Sequence, residues 1–228
     1  MARAPLSIII PTLNAQSYLP ACLEALTPGL STGLIREVLV CDGGSQDHTL
    51  VCAGQAGCRI VSGSSGRGRQ LRAGGHAAKG DWLLFIHADT RLETRWADAV
   101  QLHMSSAPAK AASFELAYDS DAQHARWLER RVALRTRWLA LPYGDQGLLI
   151  SRALYEEIGG FKDLPLMEDV DIVRRIGRER LSLLDCRSIT SADKYERDGW
   201  RKRAWRNSWL VIRYFLGASP KDLAKLYD

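Results

Sequence analysis

The 228-residue sequence lacks any window that approaches the ~18–20 consecutive apolar residues of a membrane-spanning helix. It also lacks a recognisable secretory leader, because the first apolar run, Leu6–Ile10, is too short for a leader's hydrophobic segment. These absences predict a cytoplasmic protein that meets a membrane, if at all, only at its inner face.

Paired-cysteine and zinc-binding patterns are absent as well. The five cysteines form no CxxC pair, and no cluster of Cys, His and Glu has the spacing of a zinc site. Cys41 lies inside an apolar run, as expected of a reduced thiol that serves as a small apolar side chain. The sequence therefore predicts neither a disulfide framework nor a zinc centre.

The composition is that of an ordinary globular chain, with 46% hydrophobic and 25% charged residues, and it predicts one domain. Its 31 basic and 26 acidic residues give a net charge of +5. That excess suits an anionic ligand, a phosphate-bearing substrate or an acidic membrane surface. The aromatic and basic pattern of an RNA-binding module is not evident, so nucleic acid is not an expected partner.

Strands and helices alternate regularly through the first ninety residues. This alternation predicts βαβ units and a Rossmann-like α/β fold, with a mostly parallel sheet flanked by helices. The predicted strands are Leu6–Ile10, Glu37–Cys41, Cys58–Ser62 and Trp82–Ile86, and the predicted helices are Tyr18–Leu26, Thr49–Gln55 and Gln70–Ala78. Right-handed crossovers bring the carboxyl ends of parallel strands to one edge, where Asn14, Asp42, Arg67 and Asp89 should converge.

The second half of the chain has a less regular pattern. Predicted there are strands at Ala112–Tyr118 and Gly147–Ser151, and helices at Ala122–Leu141, Met167–Arg178 and Trp200–Gly217. Within the single domain we expect a nucleotide-binding half at 1–92, an acceptor-binding and catalytic half at 93–198, and C-terminal helices at 199–228.

The apolar run Trp82–Ile86 leads directly into His87, Ala88 and Asp89. A carboxylate at the end of a parallel strand is well placed to hold a metal–phosphate complex, and its oxygen ligands favour Mg²⁺ or Mn²⁺. The alternative is that Asp89 caps a helix that begins near Thr94. His87 is then a nucleotide contact, a group behind the metal ligand or a weak ligand, although a lone histidine is more often structural.

Two glycine-containing segments follow other strands. Asp42 precedes Gly43-Gly44-Ser45, which suits hydrogen bonding to a ribose or base but equally suits a helix-capping turn. The segment 66–69, GRGR, opens a helix and offers guanidinium groups to phosphate oxygens, or forms a solvated basic loop. It is not a Walker A loop, because Gly-Lys-Ser/Thr is absent.

Two polar clusters lie in the second half. Glu168, Asp169 and Asp171 begin a predicted helix, where carboxylates are favoured by the helix dipole or supply a general base for a hydroxyl nucleophile. The segment 143–147, YGDQG, lies between a helix and a strand. It shapes an acceptor pocket or is simply a turn.

Five motifs together resemble family 2 glycosyltransferases with the GT-A fold. They are SIIIPTLN, CDGGSQDHT, the loop and helix of 66–78, LLFIHADT and LMEDVD. The segments HADT, PYGDQG and LG-x-x-P-x-x-L-A-x-x-Y resemble a bacterial subgroup, the radical-SAM/selenodomain-associated transferase 2 family. The resemblance covers essentially the whole chain.

The resemblance implies an inverting, metal-dependent transfer of a sugar from a UDP- or GDP-sugar to a hydroxyl acceptor, with Mn²⁺ or Mg²⁺ as cofactor. It implies that Pro11, Thr12, Asn14 and Asp42 hold the nucleoside, that Arg67 and Arg69 face the diphosphate, and that His87 and Ala88 belong to the nucleotide site. Asp89 would bind the metal and Asp169 would be the base. Gly144, Asp145, Gln146 and Glu168 are the candidate acceptor residues.

The sequence also departs from the family pattern. His87 replaces the first aspartate of the Asp-x-Asp motif, Asn14 stands where many relatives have glutamate, and Arg72 stands where asparagine is expected. The alternatives are a non-catalytic nucleotide-sugar-binding protein and a nucleotidyltransferase. The nucleotidyltransferase is disfavoured because PTLNAQS has no lysine or arginine after the first strand.

Two predicted helices are both basic and aromatic. Trp127, Leu134 and Trp138 lie in the first, and Trp205, Trp209, Ile212 and Leu216 have helical spacing in the second. Such stripes pack against a sheet or lie in a lipid interface. Packing is the favoured interpretation, and the alternative is a peripheral membrane glycosyltransferase that acts on a lipid-linked acceptor.

Overall fold

The computed structural model describes residues 4–227, which contribute eight strands to one sheet. The strands are β1 (Leu6–Thr12), β2 (Ile35–Asp42), β3 (Arg59–Ser62), β4 (Trp82–Phe85), β5 (Thr90–Leu92), β6 (Ala111–Tyr118), β7 (Leu148–Ser151) and β8 (Leu181–Thr190). The helices are α1 (Leu19–Glu24), α2 (Thr27–Ser31), α3 (Thr49–Gln55), α4 (Arg67–Ala77), α5 (Trp96–Ser106), α6 (Gln123–Leu139), α7 (Arg152–Glu157), α8 (Glu168–Ile176), α9 (Asp193–Asp198), α10 (Trp200–Phe215) and α11 (Pro220–Tyr227).

The strand order is β3-β2-β1-β4-β7-β6-β8-β5. The first four strands in this order run parallel, as the alternation of strands and helices predicts. β7 is antiparallel to both of its neighbours, β6 and β8 are parallel, and β5 is antiparallel to β8. The sheet is an α/β sheet with a parallel half and a mixed half.

Each face of the sheet carries its own hydrophobic core. Ile8 and Ile10 of β1 face one core with α1, α3 and α5, and Ile9 faces the other with α4, α8 and α10. Helix α4 approaches β1 and β2 closely at Gly74, where a Cβ would overlap Ile9 and lie 2.6 Å from Cys41 Sγ. The glycine therefore sets how closely the second half of α4 packs against β1 and β2.

Two strands were not predicted from the sequence. β5 has only three residues, too few for a periodic signal, and it separates Asp89 from α5. β8 has ten residues, and its signal was present in the alternation of buried Leu184, Cys186 and Ser188 with exposed intervening residues. Among residues 4–227, no helix has both the length and the apolar character needed to cross a bilayer.

Candidate active site

A polar cleft of about 490 Å³ opens at the carboxyl ends of β1 and β4, beside the start of α4. A cleft of this volume is large enough for a small organic ligand. Its lining includes seven residues that the sequence places in the candidate site, Pro11, Thr12, Asn14, Arg67, His87, Ala88 and Asp89. The predicted convergence at one edge of the sheet is therefore present for these residues.

Asp42 lies behind this cleft and is 3% exposed. Its carboxylate accepts hydrogen bonds from the backbone N–H groups of Gly44 and Ser45, at 2.8 and 2.9 Å, and from the Thr12 hydroxyl at 3.1 Å. A further hydrogen bond from the Ser45 hydroxyl joins them, and together these bonds hold the pKa of Asp42 below its ordinary value, although burial opposes the shift. Asp42 therefore closes the 42–45 turn and joins it to β1, and it does not cap α3, which begins at Thr49.

Asn14 has a left-handed backbone, with φ of 51°. Its Oδ1 accepts from the Gln46 N–H at 2.9 Å, and its own N–H donates to the Ser45 hydroxyl at 2.9 Å. Gln70, which the sequence reasoning missed, donates its side-chain amide to the carbonyl oxygens of Thr12 and Cys41. Together Asn14 and Gln70 fix the loop ends that form the cleft floor.

The two arginines of the 66–69 segment point to different places. Arg67 lines the cleft, and its guanidinium lies 3.7 Å from the Glu168 carboxylate. Arg69 was also expected on the diphosphate side, but it is paired with Asp163 at 3.1 Å, donates to Ser64 and is not among the cleft-lining residues. Because residues two positions apart in a helix point about 200° apart, and so to nearly opposite sides, only one of the two arginines can face the cleft.

Asp89 lies at the cleft wall between β4 and β5, so it does not cap α5, which begins at Trp96. The Lys194 ammonium lies 3.6 Å from Asp89 Oδ2 and also lines the cleft. The pairing of β5 with β8 produces this contact, since Thr90 is aligned with Thr190 and the Ser191 N–H donates to the Asp89 carbonyl. Lys194 is a second cation of the cleft that sequence reasoning did not identify.

His87 connects the cleft to Asp169. A Cβ at Gly144 would lie 2.6 Å from His87 Nε2 and 3.5 Å from Asp169 Oδ2, so the glycine sits between the imidazole and the carboxylate. Burial and the Arg67 guanidinium lower the pKa of His87 to about 4, which makes it a neutral imidazole at neutral pH. It can thus accept or donate a hydrogen bond but adds no positive charge.

Asp169 lies in the first turn of α8, as the sequence predicts. Its Oδ2 accepts from the Gly144 N–H and its Oδ1 from the Val170 N–H, both at 2.8 Å. Two small pockets reach it, one shared with His87 and one shared with Arg67. Since both of those residues also line the polar cleft, the Asp169 carboxylate is adjacent to the cleft.

Glu168 is buried beside Asp169, at 2% exposure. Burial and the neighbouring Asp169 carboxylate raise the pKa of Glu168 to about 7, and the Arg67 guanidinium opposes the shift. The preceding Met167 has a left-handed backbone, with φ of 66°, which a side chain other than glycine adopts only at some energetic cost. This strained residue sets the direction in which the first turn of α8 presents Glu168 and Asp169.

The three predicted acceptor residues of the 143–147 segment have different surroundings. Gln146 is 1% exposed, and its side chain is hydrogen-bonded to Phe114, Arg135 and Thr136, so in this structure it holds the segment in place and presents no surface to an acceptor. Gly144 lines the small pocket shared by His87 and Asp169. Asp145 has a buried Oδ1 without a hydrogen-bond partner among residues 4–227, and burial raises its pKa to about 6.

Metal-ligating side chains are few at this site. Within residues 4–227, no three side chains of His, Cys, Asp or Glu form a group that could hold a metal ion. The cleft offers one carboxylate, Asp89, and one imidazole, His87. That donor set fits a hard divalent cation that takes most of its ligands from phosphate oxygens and water, as Mg²⁺ commonly does.

The family model described as "Glycosyl transferase family 2" matches residues 7–162. The chain belongs to this family. The matched range includes nearly all of β1, most of the cleft lining, Asp89 and the Gly144 turn, and it ends before Pro165, Asp169 and Lys194.

Two curated relatives from Mycobacterium tuberculosis are similar to parts of the chain. A PGL/p-HBAD biosynthesis glycosyltransferase is 37% identical over 99 residues, which cover 40% of this chain and 38% of the relative. Glucosyl-3-phosphoglycerate synthase is 31% identical over 97 residues, which cover 39% of this chain and 30% of the relative. The chain thus matches well under half the length of these relatives.

Two solved structures share the fold. Staphylococcus aureus TarS 1-349 in complex with UDP-GlcNAc superposes with a TM-score of 0.66 at 17% identity, covering 82% of this chain and 58% of that one. The M. tuberculosis glucosyl-3-phosphoglycerate synthase in complex with Mn²⁺ and UDP-glucose gives 0.58 at 19% identity, covering 82% and 69%. The α/β architecture of this chain is therefore that of the GT-A glycosyltransferases.

Proposed function

We propose that this family 2 protein is a glycosyltransferase that moves a sugar from a nucleoside-diphosphate sugar to a hydroxyl acceptor with inversion at the anomeric carbon. The observation that carries the proposal is the adjacency of a polar, nucleotide-sized cleft to the Asp169 carboxylate through His87 and Arg67. One part can hold the donor while the other accepts a proton from the nucleophile.

The donor occupies the cleft with its nucleoside against β1 and the Asn14 loop. Arg67 and Lys194 are the two cations that face the cleft, and they bind the diphosphate. The relatives crystallised with UDP-sugars support UDP as the nucleotide, with GDP as the alternative. The motifs HADT and PYGDQG support membership of the radical-SAM/selenodomain-associated subgroup.

Asp89 holds the divalent cation, with His87 beside it. The neighbour crystallised with Mn²⁺ supports Mn²⁺ or Mg²⁺ in this role. The chemistry that such a cation supplies is neutralisation of the negative charge on the departing diphosphate. Since the protein offers so few ligands, we expect weak metal affinity before the nucleotide is bound.

Asp169 is the general base of the single displacement. Its carboxylate takes the proton of the acceptor hydroxyl as the oxygen attacks the anomeric carbon, and the diphosphate leaves on the opposite side. The hydrogen bonds from Gly144 and Val170 orient the carboxylate before the acceptor binds. Arg67 and Lys194 stabilise the charge that develops on the diphosphate.

The decisive experiment combines a panel of UDP- and GDP-sugars with the Asp169→Asn variant. We expect the variant to lose nearly all transfer to acceptor or water while binding the nucleotide diphosphate as tightly as wild type. Asp185→Asn, at an exposed position of β8, is the matched control and should keep full activity. Near-normal turnover by Asp169→Asn would refute the base assignment, and binding without turnover in the wild type would favour the non-catalytic alternative.

A further inference from the structure

The aromatic stripes of α6 and α10 are exposed, contrary to the packing that the sequence favoured. Trp138 and Trp205 are 66% and 71% exposed. The other exposed apolar residues of these stripes are Trp127, Leu134, Leu139, Trp209, Ile212, Phe215 and Leu216. We name this set, with the basic residues among it, the α6–α10 face. Because monomeric proteins rarely leave so many large apolar side chains in water, the face is expected to have a partner.

Neither helix needs this face for its own packing. Leu128 and Val132 of α6 pack in a cluster with Leu116 and Tyr118 of β6, and Leu210 of α10 packs in the core on the α4 side of the sheet. The two helices also contact each other. The exposed side chains therefore lie opposite faces that are already buried, and folding does not account for them.

Positive charge is concentrated in the same two helices. They contain ten arginine and lysine residues and one acidic residue, Glu129, which leaves 21 basic and 25 acidic residues in the rest of the chain. Seven of the ten form no ion pair with a carboxylate among residues 4–227, namely Arg130, Arg131, Arg135, Arg137, Arg201, Lys202 and Arg213. The guanidinium groups of Arg131 and Arg213 lie over the rings of Trp127 and Trp209. The protein is thus basic at this face and slightly acidic elsewhere.

We propose that the α6–α10 face docks on the surface of an anionic lipid bilayer. Tryptophan and aliphatic side chains enter the interface between head groups and acyl chains, while arginine and lysine meet the anionic head groups. A second copy of the chain would bring one basic face against another, which like-charge repulsion opposes. Nucleic acid would leave Leu134, Ile212 and Leu216 without apolar contacts.

Docking in this way brings the candidate base close to the bilayer. The inner side of α10 contributes Asn207, Leu210 and Val211 to the small pocket that contains Asp169. The outer side carries Trp205 and Trp209, so about one helix diameter, roughly 10–12 Å, separates the pocket from the docking face. The docking proposal stands on the surface alone and does not depend on the transfer reaction.

The test is co-sedimentation of the full chain with vesicles at low ionic strength. We expect binding to phosphatidylcholine vesicles that contain phosphatidylglycerol, little binding to pure phosphatidylcholine, and loss of binding at high salt. Bromine on the acyl chains should quench tryptophan fluorescence if Trp138 and Trp205 enter the interface.

Matched variants distinguish binding through this face from non-specific adsorption of the protein to vesicles. Two double variants should each lower vesicle binding by roughly tenfold or more. One combines Trp138→Ser with Trp205→Ser and removes the aromatic side chains that enter the interface. The other combines Arg201→Glu with Lys202→Glu, and each basic residue near an anionic surface contributes about a factor of five to binding. Leu102→Ser, at a 67% exposed position of α5, and Lys110→Glu are the controls and should bind like wild type.

Three outcomes would overturn the proposal. They are no binding to anionic vesicles at low salt, equal effects of the face variants and the controls, and a self-associated protein in light scattering whose assembly is broken by the tryptophan variants. Binding to DNA or RNA in place of vesicles, lost in the same variants, would assign the face to nucleic acid.

Discussion

Glu168 should make the stability of the protein fall as the pH rises from about 4.5 to 8. Its side chain is 3% exposed, and its pKa is raised to about 7 from an ordinary value of 4.5. The folded state therefore holds a proton that the unfolded state releases across this interval, so stability is lost as pH rises. A shift of this size corresponds to about 3 kcal/mol, at about 1.4 kcal/mol for each pH unit.

The Glu168→Gln variant removes this titration while keeping the size of the side chain. Urea unfolding can be monitored by tryptophan fluorescence at a series of pH values from 4.5 to 8. We expect the free energy of unfolding of the variant, relative to that of wild type, to increase by about 2–3 kcal/mol between the lowest and the highest pH. Glu179→Gln, at an exposed position, is the control and should follow the wild-type curve. A constant difference between Glu168→Gln and wild type at every pH would refute the argument, because Glu168 would then be ionised in both states.

Three further substitutions test the geometry of the site. Gly144→Ala places a Cβ 2.6 Å from the tip of His87, which can move, so we expect sugar transfer to fall at least tenfold while the melting temperature changes little. Gly68→Ala places a Cβ 2.6 Å from two backbone carbonyls of 162–164, which cannot easily move, and should cost about 1–3 kcal/mol in urea unfolding. Lys194→Met removes the ammonium beside the metal-candidate carboxylate, and Mn²⁺ affinity of the nucleotide-free protein, measured by calorimetry, should rise severalfold. Unchanged transfer, unchanged stability and unchanged Mn²⁺ affinity, respectively, would contradict these three expectations.

The parallel half of the sheet was predictable because its information is local. Each strand from β1 to β4 contains a short apolar run, and right-handed crossovers dictate that the strand ends share one edge. Asn14, Arg67 and Asp89 therefore reach one cleft although they are far apart in the chain. Topology, rather than any single motif, made this part of the site visible.

The mixed half was less predictable because long-range pairing decides it. β5 is defined by its partner β8, which begins about 90 residues later. The three-residue sequence of β5 is too short to predict this pairing. Lys194 reaches Asp89 only through it. The same limit applies to Gln146, whose polar side chain suggests an acceptor contact until the buried carbonyl of Phe114 and the Thr136 hydroxyl are seen to engage it.

Helical spacing was equally unable to place the tryptophan stripes. An apolar stripe that packs against a sheet and an apolar stripe that stays exposed to solvent have the same period of 3.6 residues, because the period depends only on the helix. For α6, the packed side is Leu128 and Val132, and the stripe with Trp138 lies outside. What distinguishes the two is the neighbour, which is a property of the tertiary structure.

Arg67 is a charged residue through which the polar cleft and the candidate base can influence each other. It faces the cleft and lies 3.7 Å from Glu168, whose carboxyl adjoins Asp169. A bound diphosphate would share the positive charge of Arg67, which weakens the attraction that favours ionised Glu168. Glu168 then keeps its proton and places no negative charge beside Asp169, the candidate base. On this reasoning Glu168→Gln should retain transfer above pH 7, and Glu168→Asp, which keeps an ionisable group, should remain sensitive to pH there.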